Sequence, residues 1–516
     1  MTFLSSYRTP RALRPSRAAL VLLALAIAGC TSTTKTQDSA SPGSDATGTA
    51  AATVAPTVAA TAVATDQPTA KPSAPMTPST QPPTLAPDSP SATAAPTATT
   101  APTAVPTVIN GTPVPRGNAN AVAAFTLWDS IGINTHFGEG IERGNYAGIE
   151  KLLANLGVRH VREGVNSNYD AAAIALSAKL HNLYGIRFTE TVSHEQNASE
   201  WARYQAALGP AFEGWEGPNE VDYGSGWAAP LLDTMTRLSA FAKRTPGTVV
   251  EGPSLIHCDT NQYGDHSDLV TYLNMHWYFS GRPPTTTGWG GSTCGGSPRN
   301  GYGSYLYNLG VVRGSVADKN FPLRVTETGY CSAAVSGCSP EDVNAAYTPQ
   351  IFLFAIAHGI DRTYLYQLLS EDMNGLSHSF GLVSPNFVPR PSYYAMQGLI
   401  ARLKDTPSAA RNVAYSISGG DAHVHTFPLS YANGDVGLLV YSDAPIWNPN
   451  GTATKQGSRV TIAPQNVTLN VPAMSNLTIS TFGKDGIWKD DTSRSAAKFL
   501  PLVITPYVQL VRYSPR

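Results

Sequence analysis

Two short stretches of this 516-residue chain concentrate side chains able to hold and pass protons. "FEGWEGPNEVDYG", Phe212 to Gly224, carries Glu213, Glu216 and Glu220 and ends its charged run on Asn219-Glu220, while "RVTETGY", Arg324 to Tyr330, carries Glu327. One protonated carboxyl that gives a proton to a leaving oxygen, and one ionised carboxylate that attacks an anomeric carbon, are what glycosidic bond cleavage requires. Glu220 and Glu327 lie 107 residues apart in the chain, so a fold has to bring them together. Glu213 and Glu216 are rivals for the same work and are read as structural or rim groups. Glycines around Glu220 allow close backbone approach, and Trp215 offers an apolar wall that would raise a nearby carboxyl's pKa. "HWY", His276 to Tyr278, adds an imidazole and a phenol, and Asn134, His136, Arg162 and Glu163 add further polar groups. Each has an ordinary alternative: Asn-Glu as a helix cap, Thr-Glu-Thr-Gly as a strand before a turn, His276 and Tyr278 as core residues with satisfied tips, Arg162 as a surface ion-pair partner.

These residues sit at the ends of short apolar runs. Ile131 to His136, Val158 to Glu163, Arg187 to Val192, Phe212 to Trp215, Val249 to Pro253, Leu273 to Tyr278, Leu323 to Glu327 and Arg362 to Tyr366 read as strands. Between them, "YAGIEKLLANLG", "DAAAIALSAKLHNLYG", "PLLDTMTRLSAFAKR" and "AAYTPQIFLFAIAHG" repeat apolar residues at spacings of three and four, as helices do. Eight strand–helix units predict an α/β fold, a (β/α)₈ TIM barrel, whose chemistry gathers at the carboxyl ends of the strands. A doubly wound sheet is the alternative, and no glycine-rich phosphate loop follows the first strand. The loop Gly281 to Tyr305 carries Trp289, Tyr302 and Tyr305, rings suited either to stacking on sugar or to packing the loop onto the barrel.

"GPNE", "HWY" and "RVTETGY", in this order, resemble the strand-four, strand-six and strand-seven signatures of clan A retaining glycoside hydrolases. Within that clan residues 120 to 405 are most similar to family 39, the β-xylosidases, α-L-iduronidases and some exopolysaccharide hydrolases; "YLYQLLSEDMNGLSHSFGLVSPNFVPRPSYYAMQGL" resembles that family's strand eight and closing helix. The resemblance implies Glu220 as acid/base, Glu327 as nucleophile and Asn219 on the sugar 2-hydroxyl. It further implies Tyr278 hydrogen-bonded to Glu327, His276 beside the acid/base or the sugar, and Arg162 lowering the nucleophile's pKa. His136 and Trp289 complete the expected substrate-binding set. One departure stands out: many clan members close strand eight with a tryptophan under the sugar, and here Tyr364, Tyr366 and Gln367 occupy that region.

The rest of the chain frames where this chemistry would happen. Arg8, Arg11, Arg14 and Arg17 precede an apolar run from Ala18 to Ala28 and then Ile27-Ala28-Gly29-Cys30, which resembles the lipobox of bacterial lipoproteins, with Cys30 the lipidated first residue of an exported, membrane-anchored chain. Removing residues 1–29 leaves 31 basic and 36 acidic residues, a net charge of −5, which argues against a nucleic-acid partner. Residues 30–116, mostly Thr, Ala, Pro and Ser, have too few large apolar side chains to offset the entropy of ordering and read as a disordered tether, extended at ~3.1 Å per residue. The barrel is expected over 117–405. Over 406–516, "VAYSISGG", "AHVHTFPL", "VGLLVYSD", "RVTIAP", "NVTLNVP", "LTISTFG" and "VITPYVQLVRYSP" predict a β-sandwich. Cys331 with Cys338, and Cys258 with Cys294, are the expected disulfides; a metal site is the alternative, without paired C-x-x-C spacing.

The functional expectation is a cofactor-free, monomeric, retaining glycosidase acting on an extracellular or cell-envelope polysaccharide. Its alternatives are a non-catalytic carbohydrate-binding lipoprotein and a transglycosylase using the same carboxylates.

Overall fold

The computed structural model describes residues 117–516 apart from 167–168, 223–224, 256–261, 295–296, 301–302, 373–377 and 452–454. The lipobox with Cys30, the tether, Cys258 and Tyr302 therefore lie outside the described residues.

All eight expected strands are present: β1 (Ile131–Asn134), β2 (His160–Gly164), β3 (Arg187–Thr191), β4 (Phe212–Glu216), β5 (Val249–Glu251), β6 (Leu273–His276), β7 (Leu323–Thr328) and β8 (Ile360–Leu365). Neighbours from β1 to β5, and from β1 through β8 and β7 to β6, pair in parallel. The ring closes between β5 and β6 through the Glu251–Tyr272 bridge, with the Gly252 amide donating to the Tyr272 carbonyl at 2.8 Å. Every residue of β1 and β7 is buried, because one face fills the barrel and the other meets helices. Gly132 in β1 is needed for close packing, since a Cβ there would lie 2.4 Å from the Tyr364 ring, which fills the barrel interior with its hydroxyl 3.1 Å from Thr189 Oγ1.

The helices form where the apolar spacing placed them. Tyr146–Leu156 buries Ile149, Leu152, Leu153 and Leu156, one stripe of a 3.6-residue period, and stops at Gly157, whose φ of 80° is left-handed. Ala171–Tyr184 starts on the Asp170 carboxylate, which accepts from the amides of Ala172 and Ala173. Glu341–Ala357 is buried nearly all round. The reason is that its outer face is covered: Gln350 Nε2 donates to the Pro506 carbonyl at 2.8 Å, and the Ile446 amide donates to the Tyr347 hydroxyl at 2.8 Å. The fifth unit departs from expectation, since among the described residues the 3-10 turn Ser267–Leu269, and no α-helix, stands between β5 and β6.

The C-terminal region is a sandwich. A four-stranded sheet holds Asn412–Gly419, Gln465–Asn470 and Phe499–Ile504, and a six-stranded one holds Val424–Ser430, Val436–Ser442, Met474–Thr481, Lys489–Asp491 and Gln509–Pro515. The remaining strand of each comes from the start of the described chain: Gly117–Asn120 pairs antiparallel with Asn412–Gly419, and Val122–Ala123 parallel with Val424–Ser430. Between the sheets lie Leu438, Val440, Leu469, Ile504 and Val511, all essentially inaccessible. "RVTIAP" is not a core strand; only Ser458–Arg459 pairs there, with Trp447–Asn448. "VITPYVQLVRYSP" spans two strands split at the Pro506 turn.

Candidate active site

The site is built on the carboxyl ends of β2, β4, β6 and β7. Strand alternation decides which side chains reach it. In β4, Glu216 points into the barrel and is fully buried, while its neighbour Trp215 points outward and packs on Phe212, ring centroids 4.8 Å apart, and on Phe241 of the helix Ala228–Ala242. The expectation that Trp215 walls the catalytic carboxyl is therefore wrong: one residue of the pleat puts it on the opposite face. Glu213 also points inward, because the β3–β4 register is irregular there, but at the opposite end of the strand, where Arg362 donates to it at 2.9 Å and His160 lies 2.6 Å away. It is a structural ion-pair partner and not a rim group.

Beyond Glu216 the chain leaves the strand and turns. Glu220 ends this turn with φ of +47°, in the left-handed region that non-glycine residues avoid, and its amide donates to the Ser254 carbonyl at 3.0 Å. Glu220 is buried, and its Oε1 accepts from His276 Nδ1 at 2.9 Å. Across the mouth, buried Glu327 accepts from Arg162 Nη1 at 2.7 Å on Oε1 and from the Tyr278 hydroxyl at 2.8 Å on Oε2. His276 Nδ1 also lies 3.6 Å from Glu327 Oε2. Carboxylate oxygens of Glu220 and Glu327 and a nitrogen of His276 all fall within 4.8 Å of one another.

The two carboxyls differ in their surroundings. Burial pushes Glu220 above the usual carboxylate range and the nearby Glu327 charge adds to this, outweighing the pull of His276. Burial acts on Glu327 in the same sense, but His276, Arg162 and the Tyr278 hydroxyl overcome it and hold Glu327 below the usual range. His276 loses by burial and gains from Glu327, Glu216 and Glu220, with its pKa held up to about 9. As an imidazolium it has no lone pair, so the trio forms a proton-sharing cluster where an unprotonated histidine would make it a metal-sized one.

Arg162 organises the floor. Its Nε and Nη2 grip Glu216, Nη1 also reaches Asn134 Oδ1 at 2.8 Å, and Nη2 reaches Asn219 Oδ1 at 2.7 Å. Asn219 is exposed at the mouth, and its oxygen is taken by Arg162. His136 stands edge-on to Tyr366, centroids 5.5 Å apart, with burial lowering its pKa, and Tyr366 and Tyr278 both pack on Phe380. Of the strand-eight residues only Tyr366 reaches this wall; Tyr364 is inside the barrel and Gln367 is fully buried. Trp289 is engaged otherwise: the Arg282 guanidinium lies 4.1 Å from its ring centroid, and the ring packs so closely on Gly303 that a Cβ there would sit 2.3 Å away. The Tyr305 ring is buried, stacked on Phe279, and holds the loop to the barrel. Cys331 and Cys338 form a disulfide just after β7. Sequence reasoning did not assign Thr326 and Asn274, whose polar groups tie Glu216 to His276. Their signal was position: both alternate inward on strands whose ends carry chemistry.

No protein-family model and no curated protein matches this chain. Solved structures do. A family 39 glycoside hydrolase from the gut symbiont Bacteroides cellulosilyticus WH2 superposes with a TM-score of 0.54 over 76% of this chain and 82% of that one, at 13% identity. The fold is of the family 39 glycoside hydrolase type. A 4-O-α-L-rhamnosyl-β-D-glucuronidase from Fusarium oxysporum 12S (12% identity, 77% of this chain and 99% of that one, TM-score 0.48) and a β-1,3-glucanosyltransferase from Rhizomucor miehei (14%, 51% and 96%, 0.38) are more distant. In this glycosidase fold the expected carboxyls occupy the ends of β7 and of the turn after β4.

Proposed function

We propose that the protein is a retaining glycoside hydrolase acting on a polysaccharide or oligosaccharide, with Glu220 as acid/base and Glu327 as nucleophile. The observation that carries this reading is the carboxylate pair: oxygens within 4.8 Å, one group pushed toward its protonated form and the other held ionised. Inverting enzymes keep their carboxyls ~6.5–9.5 Å apart to admit a water, whereas direct attack needs ~5–5.5 Å. Glu327 attacks the anomeric carbon as Glu220 protonates the leaving oxygen; a water, deprotonated by Glu220, then hydrolyses the glycosyl-enzyme with Glu327 as leaving group. Asn219 offers its amide nitrogen to the sugar 2-hydroxyl, and His136, Tyr366 and Phe380 wall the sugar. Trp289 lies further along the loop after β6, where its Arg282 contact favours a loop-packing role. The test is a panel of aryl glycosides and polysaccharides, followed by proton NMR of the first-formed product. The starting anomer is expected; the opposite anomer sinks the double displacement.

We also propose that the protein is exported and held at the bacterial membrane by lipid on Cys30, with residues 30–116 as tether. The sequence before Cys30 supports this, and among the described residues no helix is long and apolar enough to cross a membrane. Cys30→Ser is expected to move the protein from the membrane to the soluble fraction; unchanged membrane retention would contradict lipid anchoring.

A further inference from the structure

Beneath the two carboxyls lies a third that the reaction itself does not use. Glu216 is fully buried, yet Arg162 overcomes the cost of burial and holds its pKa down to about 2. Arg162 grips both its oxygens. On Oε1 it also accepts from Asn274 Nδ2 at 3.0 Å and lies 2.9 Å from the Thr326 hydroxyl; on Oε2 the Thr191 hydroxyl approaches at 3.3 Å. Thr326 Oγ1 in turn accepts from His276 Nε2 at 2.8 Å. Glu216 is therefore connected to both members of the pair above it: through Arg162 to Glu327, and through His276, which lies 3.8 Å from its Oε1 and is also bridged to it by Thr326, to Glu220.

The charges explain why a carboxylate is needed there. Arg162 and His276 are cations, Glu216 and Glu327 are anions, and the buried set is neutral when Glu220 carries its proton. Of the other charged groups nearby, Glu251 on β5 is paired with Arg324 on β7 at 2.7 Å and has its pKa pushed up to about 7 by burial. Without the Glu216 charge the set has one positive charge too many in a buried site, and it returns to neutrality by losing a proton from His276 or Glu220.

We propose that Glu216 is a positioning residue that sets the starting state of the catalytic pair: it aims Arg162 at Glu327 and keeps His276 charged and Glu220 protonated. This rests on the hydrolase reading only for its kinetic consequence. The proton on His276 can be followed without any substrate.

The experiment uses the full chain labelled with ¹⁵N-histidine, with the His276 signal assigned through its loss in His276→Gln. In Glu216→Gln, His276 is expected to titrate at least ~1 unit lower than in the wild type, since one buried charge at this distance is worth more than a kilocalorie. Glu216→Asp, which keeps the charge, is expected to restore most of that shift. Thr326→Val removes the hydroxyl bridging His276 and Glu216 but leaves both charges and their direct 3.8 Å approach in place; it is the second variant where Glu216→Gln does not fold, and His276 is expected to titrate lower there by a smaller amount. In kinetics, both limbs of the pH profile of kcat/KM are expected to move to lower pH in Glu216→Gln, because Glu220 and Glu327 both lose a neighbouring negative charge. A residue that merely packs would lower the rate and leave the limbs in place. His276 titrating as in the wild type in both variants overturns the proposal. A wild type inactive on every glycoside defeats the hydrolase reading instead, and the NMR titration still decides the role of Glu216.

Discussion

At the scale of single residues, the site gives two chemically identical groups different environments. Glu220 and Glu327 share His276, but only Glu327 also receives Arg162 and Tyr278. Tyr278→Phe removes one hydrogen bond to a buried carboxylate, a loss of about 1.5–3 kcal/mol. The expected result is a fall in kcat/KM of roughly 10- to 100-fold. The sign on pH follows from the same contact. The hydroxyl stabilises the ionised form of Glu327, so without it the pKa of this proposed nucleophile rises and the acid limb of the kcat/KM profile is expected to move to higher pH. A profile that loses amplitude without moving its acid limb would remove Tyr278 from this role. Glu327, His276, Tyr278 and Arg162 stood out in the sequence because each lies at or next to the end of a strand-like run, and Glu220 through its place in "GPNE". The function of Glu216 was not, because a single sequence does not say whether a carboxylate four residues before Glu220 is solvated or buried under an arginine.

At the scale of elements, legibility followed periodicity. The strands were visible as short apolar runs, and helices such as Tyr146–Leu156 as stripes bounded by left-handed glycines. Two features were not visible. The lack of a helix among the described residues between β5 and β6 leaves no trace in periodicity, since a stretch that does not repeat looks the same as one that repeats weakly. The turn that follows β4 places Glu220 at φ +47°, a conformation with no sequence signal when the residue is not glycine. Trp215 shows the cost of ignoring pleat direction: adjacent residues of one strand serve opposite layers, Glu216 the site and Trp215 the helix Ala228–Ala242. Most sandwich strands were legible as short runs, although "RVTIAP" was not one of the core, and the contribution of Gly117–Ala123 to both sheets depends on pairing with residues about three hundred positions later, which no local pattern encodes.

At the scale of the molecule, the barrel stores several buried acids, and this fixes how stability changes with pH. Burial raises Glu142 and Glu190 to about 8 and Glu251 to about 7, each from 4.5, and the surrounding carboxylates raise His276 to about 9 from 6.5. In each case the folded state binds its proton more tightly than the unfolded one. The stability these groups contribute is complete below their unfolded values and is lost as pH rises through the folded ones. Glu216 has the opposite sign: its pKa of about 2 contributes stability above 4.5 that is lost as pH falls toward 2. Calorimetry is therefore expected to give its highest melting temperature near pH 4 to 5, falling steadily up to pH 9. A melting temperature that rises from pH 6 to 9 would contradict the burial of these acids. Glu142 gives the effect a local face, since its carboxyl accepts the His136 amide at 2.8 Å and so anchors the loop that brings His136 to the site.

The central claim assigns different roles to Glu220 and Glu327, and azide separates them most directly. With an aryl glycoside bearing a good leaving group, Glu220→Ala still forms the glycosyl-enzyme but lacks the base that activates water; azide, which needs no base, is expected to accelerate turnover and give a glycosyl azide of retained configuration. Glu327→Ala lacks the group that bonds to carbon, and azide is expected to occupy its place and give the inverted glycosyl azide, if any product forms. Exchanged configurations, or near-wild-type activity in both variants without azide, would contradict the assignment of the nucleophile to β7 and the acid/base to the turn after β4.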